Sequence, residues 1–131
     1  MTDHRPRQPP AERFAQESLL LDLHAEIAAL RAEHIPTKHG QRQKTLYKHA
    51  AWTIALFVME PDAMLPEHAT VGMVSVQPLE GELSMTVGGV SRRLNPGNFF
   101  VMSPGVRHDV RAVTAAVFLL QVSLETPTQP H

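Results

Sequence analysis

Residues 82–94 read Glu82-Leu83-Ser84-Met85-Thr86-Val87-Gly88-Gly89-Val90-Ser91-Arg92-Arg93-Leu94. Leu83, Met85 and Val87 alternate with polar residues. That period of two sets one face of a strand on a core and the other in water. Gly88-Gly89 then supplies two residues that tolerate positive φ, which a two-residue hairpin requires. The chain returns over Val90–Leu94 and turns again at Asn95-Pro96-Gly97.

The same grammar extends in both directions. Toward the carboxyl end, Asn98–Ser103 reads as a strand and Pro104-Gly105 as a turn. His108–Val113 alternates, with His108 and Val110 on one side and Asp109 and Arg111 on the other, and Ala116–Val122 is a last apolar strand. Toward the amino end lie Val74–Gln77 and, before it, Trp52–Met59, which is apolar on both faces. Such a strand is expected to be covered on both sides; Glu60-Pro61-Asp62 ends it. About eight short strands with turns every 8–12 residues and no long helix between them predict an all-β fold, a sandwich or barrel.

Upstream the period changes. Residues 1–10 hold three of the eleven prolines and read as a flexible arm. Residues 11–35 lack proline, and Leu20, Leu23, Ile27 and Leu30 step by three and four, with Phe14 and Leu19 near the same stripe. This predicts an amino-terminal α-helix over 11–35, stopped by Pro36. Its stripe must be buried on its own domain or on a second copy, and two heptads are too few for a coiled coil. Lys38, Arg42, Lys44 and Lys48 mark a basic stretch with no acid between His34 and Met59. It reads as a solvated loop leading into a strand, with an anion-binding edge as the alternative. The β domain is expected over 43–124 and a frayed tail over 125–131.

Composition bounds the function classes. The chain has 131 residues, enough for one domain with a real core. Twelve Lys+Arg against thirteen Asp+Glu leave a formal charge of -1, which argues against nucleic acid and against a membrane surface as partners. Absence of cysteine excludes disulfides, thiolate catalysis and cysteine metal sites. No apolar run approaches a membrane span, and residues 1–10 carry no signal-peptide core, so a cytoplasmic protein is expected. No serine elbow and no phosphate-binding glycine loop are present.

Two blocks carry a family resemblance. The first is Pro66-Glu67-His68 followed by Gln77-Pro78-Leu79-Glu80-Gly81-Glu82-Leu83 and Val87-Gly88-Gly89. The second is Gly97-Asn98-Phe99-Phe100-Val101-Met102-Ser103-Pro104-Gly105-Val106-Arg107-His108. In order and spacing they resemble the cupin family, which implies a double-stranded β-helix, the jelly-roll barrel, behind the amino-terminal helix. Metal-binding cupins use two histidines spaced H-x-H, a glutamate, and the histidine of the second block. His68 stands at the first place and His108 at the last. Thr70 takes the second histidine's place, and Val74, seven residues before Gly81, takes the glutamate's. Two of four ligands are therefore replaced by side chains that bind divalent metals poorly or not at all.

The expectations that follow are these. His68, Thr70, Val74, Met85 and His108 form a ligand pocket for a small organic molecule in the barrel, with a degenerate metal site. No cofactor is firmly implied. The alternative is a metal-dependent enzyme, dioxygenase- or isomerase-like, holding iron, manganese, zinc, nickel or copper through His68 and His108, with His49 or a water completing the shell. The helical stripe and the doubly apolar strand point further to a homodimer.

Overall fold

The apolar run Trp52–Met59 is a strand, and both of its faces are occupied. The computed structural model describes residues 18–34, 37 and 39–124; the side chain of His68 also lies outside the described residues. So do the expected arm, Phe14 and the expected tail. In chain order the elements are α1 (Leu23–Arg31), β1 (Gln41–His49), β2 (Trp52–Met59), β3 (Met64–His68), β4 (Met73–Glu80), β5 (Leu83–Val87), β6 (Val90–Leu94), β7 (Phe100–Met102), β8 (His108–Ala112) and β9 (Ala116–Ser123).

Two antiparallel sheets result, ordered β1-β2-β9-β4-β7 and β3-β8-β5-β6. Only the β1–β2 and β5–β6 links stay within a sheet; every other connection between consecutive strands passes from one sheet to the other. That pattern is consistent with a jelly roll carrying one extra edge strand, β1. The β5–β6 hairpin turns at Gly88-Gly89, both with positive φ, as the sequence predicts.

Alternation on β2 and β9 builds two cores from two strands. Phe57, Met59, Ala116 and Phe118 join Val76, Leu83, Met85, Val110 and Ala112 between the sheets. Leu56, Val117 and Leu119 point the other way and meet Ile27 and Leu30 of α1 and Leu46 of β1. The β2–β9 register runs unbroken from Trp52 opposite Ser123 to Met59 opposite Ala116. Phe57 and Phe118, directly opposed, stack with ring centroids 4.9 Å apart and planes 5° from parallel.

The helix is shorter than the periodicity predicts. Asp22 caps it, with extended backbone (φ -91, ψ 98) and a side chain that accepts from the Ala25 N–H at 3.1 Å. This cap sets the start, because the chain before Asp22 leaves the helical conformation. Leu20, placed on the stripe by spacing alone, is 97% exposed. Nine residues are too few for a stable isolated helix. Its stability comes from packing on the outer face of the first sheet, aided by Lys44 Nζ to Glu26 Oε2 at 2.8 Å and Arg31 to Glu80 at 2.7 Å. Stripe and strand face thus cover each other within one chain.

Strand β1 corrects the reading of residues 38–48 as a loop that becomes a strand only late. Gln41–His49 pairs with β2 from Gln41 opposite Met59 to His49 opposite Trp52, with an irregularity between Thr45 and Tyr47. Strand β3 was likewise not anticipated, and the expected strand over 98–103 is confined to Phe100–Met102. Among the described residues no helix is long and apolar enough to cross a membrane.

Leu30 is fully buried under the first sheet. Leu30→Ala is expected to cost about 2–5 kcal/mol in denaturant unfolding, from lost transfer energy and the cavity left behind. Leu20→Ala, three turns of sequence pattern away but exposed, should stay within about 0.5 kcal/mol of the parent.

Candidate functional site

Between the sheets lies a cavity of about 280 Å³. Its position follows from the pleat of β1. Gln41 and Gln43 line the cavity, while the intervening Arg42 and the following Lys44 belong to the alternate set, of which Lys44 reaches α1. Phe57, opposite Gln43 on β2, continues the wall with Phe118, Leu120 and Val76. The second sheet contributes Val110 and His108 from β8 and Leu65 and Pro66 from β3, Leu65 lying opposite Val110. Gln43 and Pro66 are exposed, so the cavity meets solvent between the start of β1 and β3.

The wall is apolar apart from three side chains. His108 is 3% exposed, and its Nδ1 lies 3.0 Å from the Val106 carbonyl oxygen. A carbonyl only accepts, so Nδ1 donates in this contact. Gln41 Oε1 is buried and has no hydrogen-bond partner among the described residues. Gln43 completes the polar set. No Asp, Glu, Lys or Arg is among the described residues that line the cavity. The nearby charges pair at exposed positions instead: Arg107 with Glu67 at 2.8 Å and Arg111 with Asp62 at 3.2 Å, both joining β3 and its flanks to β8.

The residues singled out from sequence take different places. The backbone of His68 is opposite His108 across the β3–β8 ladder. His108 lines the cavity. Thr70 is half-buried after β3, and its carbonyl accepts from the Gly105 N–H at 2.8 Å. Val74 and Met85 are buried in the core between the sheets and are not lining residues of the cavity. His49 is exposed at the far end of β1, six residues beyond Gln43 or about 20 Å along the strand.

A divalent metal with three protein ligands needs three donors converging on one point. Among the described residues no three His, Cys, Asp or Glu side chains are grouped so as to hold an ion. Thr70 and Val74 supply no strong ligand at the two remaining places of the expected pattern. The donor set that is described therefore does not fit such an ion.

Gln41 and Gln43 are the lining residues that sequence reasoning missed. The signal was present: Gln41, Gln43 and Thr45 alternate with Arg42, Lys44 and Leu46. The run of charges reads as a loop, and the inward set, being polar, lacks the apolar period that marks a strand face.

The His108 contact also predicts a stability effect. His108→Leu removes the donor and leaves the Val106 carbonyl short of a partner, so unfolding should become easier by about 1–3 kcal/mol. His49→Leu, at an exposed strand end, should change denaturant stability by no more than about 0.5 kcal/mol.

Comparison with known proteins adds the following. The family model described as a cupin domain matches residues 55–122. Among curated protein sequences none matches the chain. A conserved protein of unknown function from Streptococcus pyogenes superposes with a TM-score of 0.67 at 23% identity, covering 85% of this chain and 91% of that one. A cupin superfamily protein from Desulfitobacterium hafniense gives 0.66 at 18% identity, over 86% and 96%. KdgF from Halomonas sp. gives 0.63 at 17% identity, over 70% and 86%. At these identities the likeness is one of fold.

Proposed function

The chain belongs to the cupin family, and from that premise we propose that it binds a small, uncharged organic molecule in the cavity between its two sheets. The observation that carries this reading is the composition of the cavity wall. Aromatic and aliphatic side chains form most of it, with Gln41, Gln43 and His108 as a short polar strip and no Asp, Glu, Lys or Arg among the described lining residues.

Physical chemistry narrows the ligand. A charged group entering such a wall loses its water and meets no counter-charge, which costs several kcal/mol. A neutral molecule loses little and gains from the removal of apolar surface from water, about 25 cal/mol per Å². The volume of about 280 Å³ is near the lower limit of small-molecule sites. It is roughly twice the ~150 Å³ of a dry cavity that accepts benzene. One ring system with a few substituents fits that space. Whether the bound molecule is also transformed is a separate matter, since no paired acid and base or nucleophile–base set lines the cavity among the described residues.

The reading is tested by thermal unfolding of the full chain against a panel of neutral and charged ring compounds. Neutral compounds should raise the midpoint in a concentration-dependent way, reaching about 2.7 kcal/mol of added stability at one hundred times Kd. Leu120→Phe, which fills the cavity from β9, should remove that gain while costing the free protein about 1–3 kcal/mol. No stabilisation by any neutral compound, or stabilisation undiminished in Leu120→Phe, would overturn the proposal. So would near-stoichiometric metal in protein purified without chelator that is lost in both His68→Ala and His108→Ala.

A further inference from the structure

The helix covers only part of the outer face of the larger sheet. Ile27 and Leu30 meet Leu46, Leu56, Val117 and Leu119, and charges on that part are paired, Lys44 with Glu26 and Glu80 with Arg31. Beyond it, toward the start of β2 and toward β7, the same face lies open. Register sets Trp52, Ser123 and Met73 in one row and Gln121, Ser75 and Val101 in the next. These rows face outward, because Ile54 and Leu56 do and side chains alternate. Tyr47 of β1 meets the Trp52 ring edge-on, centroids 5.8 Å apart. Trp52, Met73 and Val101 are 45%, 41% and 52% exposed. No Asp, Glu, Lys or Arg stands in either row among the described residues. An antiparallel sheet face left to water is ordinarily polar. An aromatic residue, a methionine and a valine without charge have instead the composition of an interface centre.

We propose that this open face is the contact surface between two copies of the chain, joined as an isologous dimer. Charge decides the occupant. A partner surface bearing Asp, Glu, Lys or Arg loses its hydration here and finds no counter-charge. The face is matched by another without charge, and the chain carries one in this same face. In an isologous contact each copy presents the same patch. The hydroxyls and amide of Ser75, Ser123 and Gln121 both donate and accept, so they pair reciprocally while Trp52, Met73 and Val101 leave water. The extent agrees. Four strands about 4.8 Å apart and three outward positions about 7 Å apart outline roughly 20 by 20 Å. Exposed Phe99 before β7 and Val71 and Leu124 beside Gly72 widen the rim. Roughly 600 Å² per copy brings the total to about 1,200 Å², the lower limit of specific interfaces, so a reversible dimer is expected. The contact lies on the side of β2 and β9 away from the cavity and is independent of what the cavity holds.

Analytical ultracentrifugation of the full chain from about 1 μM to about 1 mM tests this. The mass should climb from one copy to two and stop there. Over the same range the emission of Trp52, the chain's one tryptophan, should shift to the blue as its ring leaves water. Val101→Glu and Trp52→Gln, both at exposed positions, should keep the fold and each weaken association about tenfold or more. Val90→Glu, exposed on β6 of the other sheet, should leave association unchanged. A chain that stays monomeric throughout overturns the proposal and leaves the face to residues 1–17 or to another protein. Association that runs past two copies overturns the closed, isologous form. A dimer undiminished in whichever of Val101→Glu and Trp52→Gln folds, or weakened equally in Val90→Glu, puts the contact elsewhere and overturns it too.

Discussion

Strands β2 and β9 are apolar on both faces, and each face must be kept from water by something different. A pleated strand sends successive side chains to opposite sides, so one paired ladder can serve two cores. Here the inner side of the ladder is closed by the second sheet and the outer side by a nine-residue helix. If either cover were absent, a row of valine, leucine and phenylalanine side chains would face solvent, at about 25 cal/mol for each Å² left wet. The short helix is therefore part of the β domain. It exists as a helix because the ladder needs an outer cover, and the ladder's outer face is apolar because the helix lies on it.

The same economy places the candidate site. Strand β1 carries Leu46 into the helix-side core and Lys44 to a partly buried pair with Glu26, which fixes that strand's outer face. With the outer face fixed, the pleat leaves Gln41 and Gln43 no choice but the inner side, where they meet the wall of the cavity. The polar end of the cavity is thus set from behind, by contacts that no ligand touches. His108 is held by a different device: it begins β8 and is tied back to the carbonyl of Val106 two residues earlier. One polar group is positioned by a helix across a strand, the other by its own local chain.

How much of this could be read in advance depends on which face carried the signal. The β5–β6 hairpin announces itself because Leu83 and Met85 face the core and Gly88-Gly89 makes the turn. Strand β2 follows from its unbroken apolar run, and its two-sided cover is what such a run implies. The His108 and Val110 alternation on β8 also agrees with their burial. What escaped was β1, whose inward residues are amides and whose outward residues are mostly charged, so neither face shows the apolar period. The helix start escaped for a local reason: apolar spacing continues upstream through Leu20, but the Asp22 cap ends the helix there. Of the residues that the family pattern marks, His108 lines the cavity while Val74 and Met85 lie in the core between the sheets; the two glutamines follow only once β1 is known to be a strand.

The strand order has one more consequence, which concerns neighbours in a crowded solution. A sheet with open ends shows unpaired backbone N–H and C=O groups there, a template on which another chain can add a strand. Strand β7, at one end of the larger sheet, is only three residues long, Phe100–Met102, which limits that template to about 10 Å. At the other end β1 carries Arg42, Lys44 and Lys48; of the smaller sheet's two margins β6 carries Arg92 and Arg93, and β3 holds Pro66, which has no N–H to offer a further strand. Brevity at β7, repeated basic residues at β1 and β6 and a proline in β3 oppose uncontrolled addition of strands at the sheet edges, and so guard the folded chain against the polymerisation to which open β architectures are prone.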